Sequence, residues 1–250
     1  MSKARNAIAA LGLVRELRTG AGDTRPIVVA GASELVPVLA RELRAGGDET
    51  AVVEGGAPAG AAAVVWVGSA DEKALRAFSR ADVPIVAVAE DDRLPYVLDT
   101  DVVRVRPGEG FPVGEIADAL ARRLGEGGTA LASRLPVLRE AVVDELIRSF
   151  SKRNGLISAA IFVPGAALPV LTLNQIRLVL RIALAYGQHI DGSRAIEVLG
   201  VVGAGFGFRA IAREGLDFVP FLGWAIKGAI AYTGTRAIGE AARRYFASRA

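Results

Sequence analysis

The sequence predicts an α/β domain built on a parallel sheet followed by an all-α domain, and three observations point that way. Between Arg25 and Gly125 short Val/Ile-rich runs alternate with amphipathic helical patterns, as strand–helix–strand units require. A run of small residues, Gly125 to Ser133, then interrupts the pattern. Beyond it lie two long stretches almost without charge, Gly155 to Ile176 and Phe218 to Thr235. At 250 residues, with composition shifting sharply between halves, the chain is expected to form two domains.

Taken in order, residues 1–20 carry Lys3 and Arg5 and then an apolar run from Ala7 to Val14. Arg15 and Glu16 follow at once without a small-residue cleavage site, so an amphipathic helix is expected rather than a signal peptide. The α/β domain is expected over 21–128. Its strands are Pro26 to Ala30, Ala62 to Val67, Val83 to Ala89 and Val102 to Val105; three have the near-continuous Val/Ile content of strands covered on both faces. Glu34 to Arg44, Asp71 to Arg80 and Val113 to Leu124 suit crossover helices. Gly125 to Ser133 reads as a flexible joint, and 131–250 as the helical domain. There Pro136 opens an amphipathic helix with Leu138, Val142, Leu146 and Phe150 on one face, closing at Lys152-Arg153-Asn154-Gly155.

Composition narrows the function. Hydrophobic residues make up 52% of the chain and charged residues 23%. The net charge of +3 reads as scattered rather than gathered into basic tracts, so a nucleic-acid partner is not expected. With no cysteine, thiolate metal sites, disulfides and cysteine nucleophiles are excluded.

After the first strand the chain reads Gly31-Ala32-Ser33-Glu34-Leu35-Val36-Pro37-Val38, where a phosphate-binding loop would end in Gly, Lys and Ser/Thr. Those residues would wrap the phosphates, reach them with an ammonium and hold magnesium; Val36, Pro37 and Val38 do none of this. The strand order and the run Val83-Pro84-Ile85-Val86-Ala87-Val88-Ala89-Glu90-Asp91-Asp92 resemble the latter half of an Era-like or Ras-like GTPase domain. In that family the strand leads to an Asn-Lys-x-Asp base-reading motif, whose places here hold Glu90, Asp91 and Arg93. Arg106-Pro107-Gly108 likewise replaces the family's small Ser-Ala pair. The resemblance implies a degenerate, P-loop-like scaffold that has lost triphosphate binding and hydrolysis.

In the second domain, the 22 uncharged residues from Gly155 to Ile176 have the length of a membrane span, but Pro164 and Pro169 interrupt them. A kinked span, a re-entrant pair of half-helices and a buried soluble hairpin all fit. Phe218 to Thr235 contains one charge, Lys227, and small residues suited to close helix contact; Gly203 and Gly207 form a GxxxG pair between the two stretches. Arg148, Lys152 and Arg153 precede the first stretch, and Arg236, Arg243 and Arg244 follow the second, which places both ends of a hairpin in the cytoplasm.

Leu173-Asn174-Gln175-Ile176-Arg177-Leu178, Ala185-Tyr186-Gly187 and Tyr232-Thr233-Gly234-Thr235-Arg236-Ala237-Ile238-Gly239 through Tyr245-Phe246 together resemble a bacterial family known as domain of unknown function 697. Its module often follows an Era-like GTPase domain, and its relatives include YcjF-like inner-membrane proteins. The resemblance implies a membrane-associated helical domain and supplies no reaction.

Several residues invite a role of their own. Asn174, Gln175, Arg177 and Arg181 form the polar group of the apolar half; at membrane depth they line a path or dock a partner, and in a soluble bundle they are one solvated face. Glu90, Asp91 and Asp92, at the end of a strand, suit a cation or basic partner, or a solvated loop. Gly55-Gly56 reads as a plain turn. His189, the single histidine, sits beside Asp191 and reads as a cap or surface residue, and Ser33 has no histidine partner. No catalytic residue, metal ligand or cofactor is therefore expected. The expected protein is a non-enzymatic adaptor or regulator at the inner membrane, its first domain cytosolic, with an unidentified protein partner and a possible homo-oligomeric state. The rivals are a GTP-binding switch with divergent motifs and a soluble helical oligomer.

Overall fold

Val, Ile and Ala at every position of a strand need cover on both sheet faces, and the chain provides it. The computed structural model describes residues 22–90, 93–106, 108–161, 167–188 and 223–249. These fall into two compact units, Gly22–Glu145 and the part that begins at Leu146.

In the first unit five parallel strands, β1 (Ile27–Gly31), β2 (Val52–Glu54), β3 (Ala63–Val67), β4 (Ile85–Ala89) and β5 (Val102–Arg104), form one sheet in the order β2-β1-β3-β4-β5. Ile27 lies opposite both Val52 and Ala63, Val64 opposite Ile85, and Ala87 opposite Val102. All five residues of β3 and all five of β4 are buried.

The crossover from β1 to β2 runs through α1 (Val36–Arg44), and that from β3 to β4 through α2 (Glu72–Arg80), in opposite directions across the sheet. Right-handed crossovers then set the two helices on opposite faces. Leu75 and Phe78 of α2 accordingly share a core with Val28, Val64, Trp66, Ile85 and Ala87. By alternation Ile27, Val29, Val65 and Val86 face the other layer, where α1 packs on β1 and β2, and α3 (Val113–Leu124) on β4 and β5. Asp71 caps α2 by accepting a hydrogen bond from the Ala74 amide at 3.1 Å.

Three local features differ from the sequence expectation. Val52–Glu54 is a fifth strand, at the sheet edge, with Val53 and Glu54 exposed. Gly125 to Ser133 is not a flexible joint: a 3-10 turn, Gly125–Gly127, leads into helix α4 (Gly128–Arg134), whose first five residues are buried. Gly128 is small because its helix lies against α5 (Pro136–Ala160); a Cβ there would come within 3.1 Å of Val142 Cγ2. Finally, α5 runs through Asn154 and Gly155 to Ala160 instead of closing at them.

Arg134 ties α4 to the amino-terminal edge of the sheet. Its guanidinium donates to Asp48 Oδ2 at 2.9 Å, the Thr24 carbonyl at 3.0 Å and Thr50 Oγ1 at 3.0 Å. Hydrogen bonds from the Thr50 hydroxyl and amide, and then Arg134, hold the Asp48 carboxyl below its ordinary range, at about 2.

The second unit contains the end of α5 with α6 (Leu168–Ala185) and α7 (Gly223–Ala247). Its contacts fix the directions: Gly239 of α7 meets Ile147 and Leu178, and Gly228 meets Gly155 and Ala159. Thus α6 and α7 run together, and α5 runs against both. The uncharged stretch from Gly155 to Ile176 is split between the end of α5 and the beginning of α6, as the two arms of a helical hairpin. Of the second stretch, the residues from Gly223 to Thr235 are helical; Phe218 and the rest of its beginning, with Gly203 and Gly207, lie outside the described residues.

Candidate functional site

Ligands of open α/β sheets bind beyond the carboxyl ends of the strands, where neighbouring connections leave in opposite directions. Here that point lies between β1 and β3. The geometry is tight. Gly31 has φ 122°, and a Cβ on it would sit on the Val67 carbonyl oxygen. The Ala32 amide donates to that same oxygen at 2.8 Å, and the Trp66 indole N–H donates to the Ser69 carbonyl at 2.9 Å. The two loops are therefore stitched to the strand ends.

This geometry leaves little for a phosphate. An anion site at a helix start needs free amides. The Leu35 and Val36 amides both donate to the Ala32 carbonyl, at 3.0 and 3.1 Å, and Pro37 has no amide. Residues 32–35 form a single turn instead of a loop that wraps a ligand, and the Glu34 carboxylate, which accepts from Ser33 Oγ at 3.1 Å, stands exposed beside it. Glu90 is exposed at the end of β4; Asp91, Asp92, His189 and Asp191 lie outside the described residues. Gly55 and Gly56, at φ 66° and 117°, turn the chain after β2. Among the described residues no three His, Asp or Glu side chains gather.

The polar group of the helical unit is built differently. Asn174 is buried, and its Nδ2 donates to Asn154 Oδ1 at 2.8 Å. Asn154, fully buried on α5, donates to Thr235 Oγ1 of α7 at 2.9 Å, which also accepts from Gln175 Nε2 at 3.4 Å. Three helices thus meet in one layer of amide and hydroxyl groups. Arg177 and Arg181 lie half-buried one turn apart on α6, beyond this layer. Sequence reasoning missed Asn154 and Thr235. The pairing of Asn154 with Gly155 copies a helix end, whereas here Gly155 admits α7, its missing Cβ lying 3.2 Å from the Gly228 carbonyl oxygen.

On the tip side of this layer the same three helices expose large apolar side chains: Leu156 (72%) on α5, Leu168 and Val170 on α6, and Ile226 on α7. Helix α6, 18 residues long and 44% buried, is the one described helix long and apolar enough to cross a membrane, by length and composition alone. Charge, too, is partitioned rather than scattered. Residues 22–145 hold 13 Lys/Arg against 21 Asp/Glu, a net of −8, and residues 146–250 hold 13 against 5, a net of +8. Counting each half separately would have found this in the sequence. Comparison with known proteins adds no relative: no protein-family model, curated protein or solved structure matches the chain.

Proposed function

We propose that the protein is a non-enzymatic adaptor or regulator at a membrane, with a degenerate GTPase-like α/β domain on the cytosolic side and a helical domain that engages the inner membrane. The observation that carries this reading is the cluster of exposed Leu156, Leu168, Val170 and Ile226 at one end of the helical unit, since water-facing apolar side chains grouped in this way mark a protein or membrane contact. Two features support it. The helices pack through Gly155, Gly228 and Gly239 and are joined by amide and hydroxyl bonds, as helices do where lipid removes the hydrophobic drive between them. The lost phosphate-loop residues and the consumed amides at the start of α1 favour a scaffold that presents a surface over one that turns over a nucleotide. The likeness to domain of unknown function 697 and to Era-like GTPases, carried by the motifs quoted above, belongs to the same proposal.

A second reading, a soluble helical oligomer joined through the apolar end, is favoured by Arg177 and Arg181 within α6. Fractionation of expressing cells with a high-pH carbonate wash separates the two. Retention in the membrane pellet is expected; release into the wash would remove the membrane-inserted reading and leave the apolar end as a subunit interface.

A further inference from the structure

Three asparagines occur in the chain, followed in turn by Ala7, Gly155 and Gln175. Of these pairs Asn154–Gly155 is the one most open to self-attack. The backbone nitrogen of the following residue can reach the asparagine Cγ and close a five-membered imide, and glycine has no side chain to obstruct that approach or to restrict its backbone.

Packing fixes both residues of the pair. Asn154 is fully buried; its Oδ1 accepts from Asn174 Nδ2 at 2.8 Å, and its Nδ2 donates to Thr235 Oγ1 at 2.9 Å and to the Leu171 carbonyl at 3.5 Å. Gly155 admits α7, since a Cβ there would stand 3.2 Å from the Gly228 carbonyl oxygen and 3.3 Å from Tyr232 Cβ. The layer needs the amide and the helix contact needs the glycine, so the reactive pair sits where neither residue is free to change.

The closed layer holds the reaction back. Both residues lie inside α5, where Asn154 is confined to helical ψ and the Gly155 N–H is committed to the carbonyl one turn earlier. The bonds from Asn174 and to Thr235 pin the Asn154 amide in place, and burial shuts it off from bulk water.

We propose that Asn154–Gly155 is a modification site gated by this layer: when α5 parts from α6 and α7, the pair closes to the imide and opens to aspartate or isoaspartate, with water as the co-reactant. The Gly155 nitrogen bonds to Asn154 Cγ, the Cγ–Nδ2 bond breaks, and Nδ2 leaves as ammonia with the proton that Gly155 gives up. Water then adds to one of the two imide carbonyls. Breaking the new bond at Cγ leaves aspartate at 154; breaking the original peptide bond reroutes the main chain through the side chain as isoaspartate. Neither product rebuilds the layer. Isoaspartate inserts a methylene into the main chain of α5 and disrupts its hydrogen-bond register. Aspartate sets an acceptor against the Leu171 carbonyl and buries a carboxylate among the neutral groups of Asn174, Thr235 and Leu171. The mark is therefore one-way.

To test this, the purified full-length chain is held in mildly alkaline buffer with and without urea, and the chymotryptic peptide that follows Phe150 is weighed for conversion of amide to acid. Conversion in urea is expected to be at least about a hundredfold faster than in the native chain, because a packed layer opens rarely. Asn174→Ala, which removes the bond to Asn154 Oδ1, should speed native conversion by about thirtyfold or more. Gly234→Ala, with nothing within 4 Å, strengthens α7 and should slow conversion by up to about fivefold, an outcome that failure to fold cannot imitate. Gly31→Ala, a lesion of the sheet, should leave the rate within about twofold. Equal conversion with and without urea would overturn the gate, as would an unaffected Asn174→Ala chain, a Gly234→Ala chain that converts no more slowly, or an equal acceleration by Gly31→Ala. Absence of conversion in urea would overturn the site itself.

Discussion

Removing one side chain of the buried amide layer should cost far more than its hydrogen bonds are worth, and a double-mutant cycle on Asn154 and Asn174 measures why. Asn154→Ala deletes the bonds to Asn174 Nδ2 (2.8 Å) and Thr235 Oγ1 (2.9 Å), each worth about 1 kcal/mol net. Thr235 keeps its bond from Gln175, but the Asn174 amide is left as a buried, unmatched donor, adding roughly 1–3 kcal/mol. The sum is about 3–5 kcal/mol. Asn174→Ala loses one bond and strands Asn154 Oδ1, for about 2–4 kcal/mol. In the double variant the shared bond is lost once and neither partner is stranded by the other, so its cost should fall short of the sum of the singles by about 3 kcal/mol or more. Urea unfolding of the full chain, followed by circular dichroism, supplies the four free energies. Additivity within about 0.3 kcal/mol would show that the two amides are not coupled, and would refute the hydrogen-bonded layer.

Three further outcomes follow from the geometry. Gly31→Ala should cost roughly 2–5 kcal/mol in urea unfolding, because positive-φ strain adds to a collision with β3, while Gly56→Ala, with similar φ and open space, should cost only about 1–2 kcal/mol for the strain; equal losses would remove the collision argument. On α7, Gly228→Leu should destabilise by about 3 kcal/mol by forcing Gly155 away, and Gly234→Ala, with nothing within 4 Å, should stabilise by up to ~1 kcal/mol; the same unfolding assay reads both. Asp48, depressed from 3.8 to about 2 in the fold, contributes stability that is fully present above pH 3.8 and lost as pH falls through about 2. Acid melting curves should therefore show a steeper decline for the native chain than for Asp48→Asn across that window, and parallel curves would contradict the assignment.

How much was legible from sequence differs by element. Three of the four expected strands announced themselves, because burial on both faces removes polar residues from the run, as in Ala63–Val67, whereas Val102–Arg104 is a short edge strand with an exposed arginine. The edge strand Val52–Glu54 did not, since it is three residues long with two of them exposed. Glycine at 125, 127 and 128 reads locally as flexibility, but Gly128 is small to admit Val142, and Thr129 anchors its own turn by donating to the Glu126 carbonyl at 2.8 Å. The layer of Asn154, Asn174 and Thr235 was half visible: Asn174 and Gln175 stood out in an apolar segment, whereas Asn154 meets Asn174 across 20 residues and Thr235 across 81, beyond any local pattern.

The bond from the Trp66 indole to the Ser69 carbonyl gives the α/β unit an optical reporter. The ring is buried within β3 while its nitrogen is held by the loop that borders the strand ends. Indole emission shifts with the polarity and hydrogen bonding of its surroundings, so movement of that loop would change its colour and intensity. Trp224 is the other tryptophan of the chain, and Trp224→Phe would leave Trp66 as the sole source of signal. Small molecules added in turn to that variant would be screened by emission spectrum alone, with no label and whatever the chemistry of the compound that the unit receives.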